Sequence, residues 1–285
     1  MKKIAFIILF SIMLAGCEQV IDLNIPSTTS RLVIEGGVFS HADGQPHVQL
    51  IKLSKSVAFF DKNSQPVTNA TVSVTDGTTN YVFQHTANGV YQSLPFAPAM
   101  GKTYSLTLFY QGATYTASEV MIAPVPIINM YFEYKDVAND PFADGNQKGY
   151  QTQIDFADPA GIENFYLRKI LVNGEETFFA DPGNRFNSIT ADTYFDGKLI
   201  TQAKVNDEYL AQPEDEVEAQ LFNISKRQYE FYNLLFTLTS GGSLLGDPPP
   251  ARLIGNVENS TSPKDYPLGF FQVAGIDTRL KEVPR

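Results

Sequence analysis

The stretch that decides the fold is Ala70-Thr71-Val72-Ser73-Val74-Thr75-Asp76-Gly77. Small or apolar residues alternate with polar ones up to Thr75, which is the period-two pattern of a strand with one buried face. The Asp-Gly pair that follows favours a tight turn, because such a turn needs a positive φ. The β-prone run Tyr81-Val82-Phe83 comes next. The stretch therefore predicts an antiparallel β-hairpin.

Two further turns of this kind, Asn88-Gly89 and Gln111-Gly112, separate β-prone runs in the same half of the chain. Short strands with turns every 8–12 residues or so are typical of a β-sandwich. We therefore predict a first domain, an immunoglobulin-like β-sandwich, over residues 31–123.

Two runs before this hairpin also read as strands. Arg31–Glu35 is a short apolar strand, and His47–Leu53 alternates between polar and apolar residues. The alternation predicts that Val48, Leu50 and Leu53 face the core.

Pro124-Val125-Pro126 marks the end of the first domain, since two prolines hold an extended stretch and do not fit a central strand. Residues 124–285 are predicted to form a second β-rich domain that carries one helix over residues 225–238. Ser225 and Gln228 form a capping box at the start of that helix. The predicted fold class is mainly β.

Near its start the chain has Lys2-Lys3 and then an apolar run, Ile4–Ala15. The end of this run and the two residues after it read Leu14-Ala15-Gly16-Cys17. A basic start, an apolar run of about 7–15 residues and small residues before a cleavage point are typical of a secretory signal. The last four residues match a bacterial lipobox, in which the cysteine thiol receives a diacylglycerol. Residues 1–16 are therefore predicted to be a signal peptide, and residues 17–30 a lipidated tether.

Cys17 is the only cysteine in the chain. A lone cysteine is often a buried apolar residue or a free thiol, but its position directly after the apolar run favours lipidation. Disulfides are excluded, so the stability of the fold must come from its core. Glu18 and Asp22 are either part of an export signal or solvated residues of the tether.

The composition argues against nucleic-acid binding. The 285 residues include 21 basic and 31 acidic side chains, and removal of Lys2 and Lys3 with the signal leaves 19 against 31, a net charge of −12. A body this acidic, with no basic stretch, is repelled by phosphate backbones.

Three groups of polar residues are candidate chemical sites. His41, Asp43 and His47 flank one loop and are conceivable metal ligands, but no zinc motif is present and the polarity of a turn explains them better. Glu214-Asp215-Glu216 reads as an exposed turn, because neighbouring strand residues point to opposite faces.

The third group lies in the polar segment at residues 136–146. Its oxygen donors suit calcium, but their order departs from the calcium-loop pattern, so a solvated loop competes with a calcium site. These donors are Asp136, Asn139, Asp140, Asp144 and Asn146.

No nucleophile elbow, phosphate-binding loop or catalytic triad pattern is present, so the sequence predicts a protein without enzymatic activity, a cofactor or a bound metal. Three aromatic pairs, Phe178-Phe179, Tyr194-Phe195 and Phe270-Phe271, are candidate sugar-stacking or partner surfaces. We expect one ring of each pair to lie in the core.

Motifs spread over most of the chain resemble one known group. They are Cys17-Glu18-x-x-Ile21-Asp22-Leu23-x-Ile25-Pro26, Arg31–Gly36, Pro66-Val67-x-x-Ala70-x-Val72-x-Val74-x-Asp76-Gly77, Gly101-x-x-Tyr104-x-Leu106, Asp158-Pro159-x-Gly161-x-x-Asn164-Phe165-Tyr166, Asp192-x-Tyr194-Phe195-Asp196-Gly197, Ser225-x-x-x-Tyr229, and Asn256-Val257 before Gly269-Phe270-Phe271. In these motifs the chain resembles the Bacteroidota lipoproteins of unknown function whose genes lie beside TonB-dependent outer-membrane receptors. Phe165 stands where that group usually has a first tyrosine.

The resemblance implies an outer-membrane, lipid-anchored protein at the cell surface. Its expected partners are the membrane and a TonB-dependent receptor, for which it would capture ligand or provide a docking surface. An adhesin or structural surface lipoprotein that binds glycans or proteins is the alternative. The resemblance carries over no catalytic residues.

Overall fold

The computed structural model describes residues 30–57, 64–136, 148–177, 188–205, 209–239 and 252–285. The predicted signal peptide, Cys17 and nearly all of the tether lie outside the described residues. Residues 137–147, which include most of the polar segment at residues 136–146, and the Phe178-Phe179 pair also lie outside the described residues.

The described residues are mainly β with one helix, which confirms the predicted fold class. The first half of the chain forms β1 (Leu32–His41), β2 (Leu50–Lys55), β3 (Gln65–Pro66), β4 (Thr71–Thr75), β5 (Asn80–Ala87), β6 (Val90–Gln92), β7 (Thr103–Tyr110) and β8 (Ala113–Val120). The second half forms β9 (Ile127–Asp136), β10 (Lys148–Ala157), β11 (Phe165–Val172), β12 (Glu175–Glu176), β13 (Ile189–Ala191), β14 (Leu199–Lys204), β15 (Glu216–Ile224), helix α1 (Lys226–Thr239), β16 (Glu258–Asn259), β17 (Leu268–Gly269) and β18 (Gln272–Glu282).

Most strands join one large sheet in the order β12-β11-β15-β18-β1-β2-β6-β5-β4-β7-β8-β16, and β9, β10 and β14 form a separate three-stranded sheet. Strand β1 lies near the middle of the large sheet, antiparallel to β2 and parallel to β17 and β18. Strand β16 pairs with β8 at the far edge. The division at residue 124 stays a prediction, and three C-terminal strands pair directly with strands of the first range.

All three predicted turns are present and join antiparallel strands. Asn88 and Gly89 have φ angles of 50° and 78°, and Gln111 and Gly112 have 50° and 80°. At the first turn, Gly77 has a φ of 88°. The Asp76 carboxylate accepts hydrogen bonds from the backbone N–H groups of Thr78 and Thr79. The hairpins β4–β5, β5–β6 and β7–β8 confirm the predicted pairing.

The hydrophobic core of this half is formed by the inward residues of these strands. Val72 and Val74 of β4 are fully buried, as the alternation predicted. C-terminal residues Val257, Phe271 and Val273 complete the same core. The strands β1–β8, which we call the N-terminal layers, therefore share their hydrophobic core with residues from the C-terminal half of the chain.

The predicted inward orientation is wrong for Leu50, the first residue of β2, and for Val48, which precedes that strand. Leu53 is buried, but Val48 and Leu50 are exposed, and Gln49 is buried instead. Backbone pairing between β1 and β2 stops at Gly36 and Ile51. Beyond that point the side chain of Gln49 provides the hydrogen-bond partner for the backbone of β1. The Gln49 amide accepts a hydrogen bond from Phe39 N (2.7 Å) and donates one to Phe39 O (3.2 Å).

Helix α1 begins and ends within one residue of the prediction. The Ser225 hydroxyl accepts a hydrogen bond from Gln228 N at 3.2 Å, which is one half of the predicted capping box. Tyr232 and Phe236 are buried against the sheet. Within the described residues, no helix is both long enough and apolar enough to cross a membrane.

Helix α1 packs on one face of strands β11 and β15, and the three-stranded sheet covers their opposite face. The three-stranded sheet encloses a second core with these two strands. Two contacts with β18 close the edge of this core. Ile127 N donates to the Asp277 carboxylate at 2.7 Å, and the Arg279 guanidinium donates to Ile127 O at 3.0 Å. The loops at the ends of β10 and β13 meet beside this core, and they carry the candidate site.

Candidate functional site

Three aspartates meet where two loops of the C-terminal half come together. Asp158 follows β10, Asp192 follows β13, and Asp196 lies four residues further on. One carboxylate oxygen of each lies within 4.8 Å of the other two, a geometry that no other group of three His, Cys, Asp or Glu residues in the described part of the chain shares. Asp158 and Asp192 are buried, whereas Asp196 is exposed.

Each carboxylate fastens one loop to the other by accepting a backbone N–H. Gly197 N donates to Asp158 Oδ2 at 2.9 Å, and Gly161 N donates to Asp196 Oδ1 at 2.7 Å. Asn164 N donates to Asp192 Oδ2 at 2.7 Å. The loops 158–164 and 192–198 are therefore held by reciprocal bonds between side chain and backbone.

Glycine is required at the closest approach of these loops. Gly197 has a φ of 70°, and a Cβ atom there would lie 2.7 Å from the Cβ of Ala160. A larger residue would push the loops apart and lengthen the bonds between them.

Tyr166 of β11 anchors the cluster to the core. Its buried hydroxyl donates to the Asp158 carboxylate, and its ring stacks on Phe195 with a centroid distance of 6.2 Å. Burial raises the pKa of the Tyr166 hydroxyl, and the neighbouring Asp158 and Asp192 carboxylates raise that pKa further. The phenol therefore stays protonated and can only stabilise Asp158 as a donor.

The chemistry of the cluster is that of hard oxygen donors. Among the described residues, neither a lysine nor an arginine forms an ion pair with Asp158, Asp192 or Asp196. Carboxylates without histidine or cysteine are the type of ligand that Ca²⁺ or Mg²⁺ prefers, and they do not suit zinc. The separation is also below the roughly 5–9.5 Å between the carboxyl groups of glycoside hydrolases.

Exposed apolar side chains surround this cluster. Tyr194 is 89% exposed, and Ile162 and Leu199 are 59% and 60% exposed. Tyr194 and Ile162 lie on the two loops themselves, and Leu199 begins β14 directly after them. We call these three residues the loop patch.

The aromatic pairs divide as follows. Tyr194 is exposed and Phe195 packs on the second core, which confirms the prediction for that pair. Phe270 and Phe271 are both buried, so the prediction of one exposed ring is wrong there. The Phe270 ring lies 5.3 Å from the Phe231 ring of helix α1, whereas Phe271 belongs to the core of the N-terminal strands.

The structure brings the predicted histidine group together without forming a metal site. His47 Nε2 lies 3.0 Å from Asp43 Oδ2, and the His41 and His47 rings stack at a centroid distance of 3.6 Å. The three residues do not place ligand atoms within 4.8 Å of one another. The interpretation as turn polarity stays a prediction.

The other predicted acidic groups lie in ordinary surface settings where they are described. Asp136 forms an ion pair with Lys148 at 2.9 Å. Glu214 lies in an exposed turn, as predicted, and forms an ion pair with Arg285 at 2.6 Å, whereas Asp215 is half-buried and Glu216 already begins β15.

Sequence reasoning did not identify the aspartate cluster. Its residues were quoted only as parts of two motifs, Asp158–Tyr166 and Asp192–Gly197. Each motif contains an Asp and a Gly, which is the one sequence feature that could have indicated the cluster. In the structure the Asp side chain of each motif accepts a hydrogen bond from the Gly backbone of the other. Nothing in one motif alone indicates that the other is its partner.

A search of the curated proteins found no match. A family model described as a domain of unknown function, DUF4249, matches residues 18–279. This match spans both cores, the aspartate cluster and helix α1, and the chain therefore belongs to the DUF4249 family.

Proposed function

We propose that this protein is a lipid-anchored accessory of a TonB-dependent outer-membrane transporter and has no catalytic activity of its own. The observation that carries the proposal is the lipobox pattern Leu14-Ala15-Gly16-Cys17 after a basic start and an apolar run. A diacylglycerol and an acylated amine give more than one chain, and each buried methylene contributes about 0.8 kcal/mol, which is enough for stable anchoring.

The chain offers a short connection between anchor and body. Residues 18–31 separate Cys17 from the first strand, which begins at Leu32. At about 3.5 Å per extended residue they reach at most about 50 Å. This reach confines the β body near the bilayer and raises its effective concentration at the mouth of a barrel protein.

The loop patch is the surface we assign to the receptor or its ligand. Tyr194 and Ile162 are exposed on the two loops that the aspartate cluster ties together, and Leu199 is exposed at the start of β14. An exposed aromatic ring on a rigid support supplies contact area at little cost in conformational entropy. The carboxylates position the loops in this proposal and perform no reaction.

Co-purification tests the proposal directly. The protein is extracted with its native Cys17 in mild detergent, and a barrel protein is expected to remain bound. Tyr194→Ala should reduce recovery of the barrel protein, whereas Phe109→Ala, an exposed aromatic in β7, should not. A chain that carries no lipid, or a pure monomer from the wild type, would contradict the proposal.

An adhesin or structural surface lipoprotein is the second candidate. It is supported by Tyr194, because an exposed ring beside carboxylates is a surface on which a sugar can stack and form hydrogen bonds. Deletion of the gene separates the two candidates: loss of attachment with normal nutrient uptake favours the adhesin, and loss of uptake favours the transporter accessory.

A further inference from the structure

We propose that the open edge of strand β5 is a docking site for an extended, uncharged polypeptide segment of a partner protein. The segment would add to the sheet as a further strand. The site lies in the N-terminal layers, apart from the aspartate cluster, and the inference holds whether or not the chain carries a lipid.

Strand β5 changes its pairing partner along its length, so each half of the strand is paired on one side only. Residues 80–83 pair with β4, and pairing with β6 begins at Gln84. Continuing that register would oppose Val82 to Leu94, but β6 ends at Gln92. One edge of β5 therefore loses its partner over residues 80–83.

The chain after β6 leaves β5 because it bonds to the segment before β2. Ser93 N donates to Gln49 O at 3.1 Å, and Phe96 N donates to His47 O at 3.1 Å. Pro95 has no N–H to offer. These bonds hold residues 93–96 away from β5 and open a groove between the two segments.

The direction of the backbone groups follows from the hairpin. Asp76 N donates to Thr79 O at 3.2 Å, and hydrogen-bonded pairs alternate along an antiparallel ladder. Tyr81 therefore bonds to β4, whereas Asn80 and Val82 direct their N–H and C=O groups toward the groove. An added strand would find two donors and two acceptors there.

The groove has a volume of about 620 Å³. Val82, which is 55% exposed, lies on one wall and Leu94, which is 85% exposed, on the other. The Tyr81 and Phe96 rings, which also line the groove, stack at a centroid distance of 3.8 Å. Two exposed apolar walls beside an open strand edge suit the side chains of an extended segment.

Charge narrows the class of the occupant. The residues that line the groove include no Asp, Glu, Lys, Arg or His, although the chain holds 31 acidic and 21 basic residues. A charged segment placed there would lose hydration without gaining an ionic partner. The occupant is therefore uncharged over the four or so residues that enter the groove, with β-branched or other apolar side chains.

The test is a titration of the ¹⁵N-labelled full-length protein with the peptide acetyl-Thr-Val-Thr-Val-Thr-amide. We expect saturable amide shifts centred on Asn80, Val82 and Leu94, with a Kd of about 1 mM or tighter. The same peptide N-methylated at both valines keeps its apolar side chains but loses two donors. It should bind at least tenfold more weakly.

Matched variants place the site on the protein. Leu94→Lys puts a charge on the groove wall and should weaken binding at least fivefold. Leu280→Lys alters another exposed leucine, in β18, and should leave binding unchanged. Thermal melting of both variants checks that each still folds.

Three results would overturn the inference. They are equal binding of the two peptides, shifts that map outside β5 and residues 93–96, and the absence of saturation. Self-association of the chain through Val82, measured by sedimentation, would also overturn it, because the occupant would then be a second copy rather than a partner.

Discussion

The hairpins of the N-terminal half (the hairpin layers, β4–β8) are stabilised by contacts between residues close in sequence. The loops 158–164 and 192–198 (the loop pair) are stabilised by contacts between residues far apart in sequence. In the hairpins, a turn and its two strands are neighbours in sequence, as in β4–β5 around Asp76-Gly77. In the loop pair, Asp158 and Gly197 are 39 positions apart and touch only because β10 and β13 bring their loops together. Local pairing is therefore visible in the sequence, whereas the loop pair becomes visible only in three dimensions.

The largest expected effect tests whether the two regions unfold separately. Phe271 belongs to the C-terminal half but is fully buried in the core of the N-terminal layers. Phe271→Ala should lower the free energy of unfolding by about 3–5 kcal/mol. Urea unfolding followed by fluorescence and circular dichroism should show one shared transition.

The control for this variant is Phe109→Ala, which removes a half-exposed ring from β7. It should change the free energy of unfolding by less than about 1 kcal/mol. Two separate transitions in Phe271→Ala would show that the halves are independent after all.

The second prediction concerns the support of the loop pair. Tyr166→Phe removes the hydroxyl that donates to the buried Asp158 carboxylate. A buried acceptor that loses its donor costs about 1–3 kcal/mol, and the loss should appear in chemical denaturation. Tyr194→Phe removes an exposed hydroxyl and should have no measurable effect, so equal losses in the two variants would contradict the role given to Tyr166.

The third prediction compares two turns within the hairpin layers. Gly89→Ala places a Cβ atom 2.2 Å from Leu53 O at a φ of 78°, whereas Gly77→Ala meets no atom within 4 Å at a φ of 88°. Both variants carry the left-handed penalty of about 1–2 kcal/mol. Only Gly89→Ala should also disturb β2, so its melting temperature should fall further, and a reversed order would sink this explanation.

The smallest effect is a pH dependence at the first turn. The Lys102 ammonium, 2.8 Å from Asp76, and the N–H groups of Thr79 and Thr78 lower the pKa of the Asp76 carboxyl far below its usual value. A lowered pKa stabilises the fold above about pH 4, and this contribution is lost as the pH falls through the folded value. NMR titration of the Asp76 carboxyl should show the low midpoint, and Lys102→Met should raise it.

The contrast between the two regions also explains what the sequence could predict. Alternation and positive-φ dipeptides are local signals, so three hairpins and helix α1 follow from them. The predicted orientation of residues 48–50 fails because the Gln49 side chain takes the place of a backbone partner, and polarity alone marks such a residue as exposed.

The aspartate cluster could not be predicted for a related reason. Asp158 and Asp192 sit in separate turns, where an aspartate most often bonds its own loop. Their meeting depends on the pairing of β11 with β13 and on the three-stranded sheet, neither of which has a local signature. The groove beside β5 is hidden in the same way, because it results from hydrogen bonds of residues 93–96 to the segment before β2.

The parallel pairing of β1 with β18 has a consequence for the order of assembly. Gly37 pairs with Gln272, a separation of 235 residues. One side of β1 can complete its pairing only when β18 is available, so this contact joins two distant parts of the chain. A variant truncated before residue 272 would leave the backbone groups of residues 37–41 unpaired on that side of β1 and should be prone to aggregation.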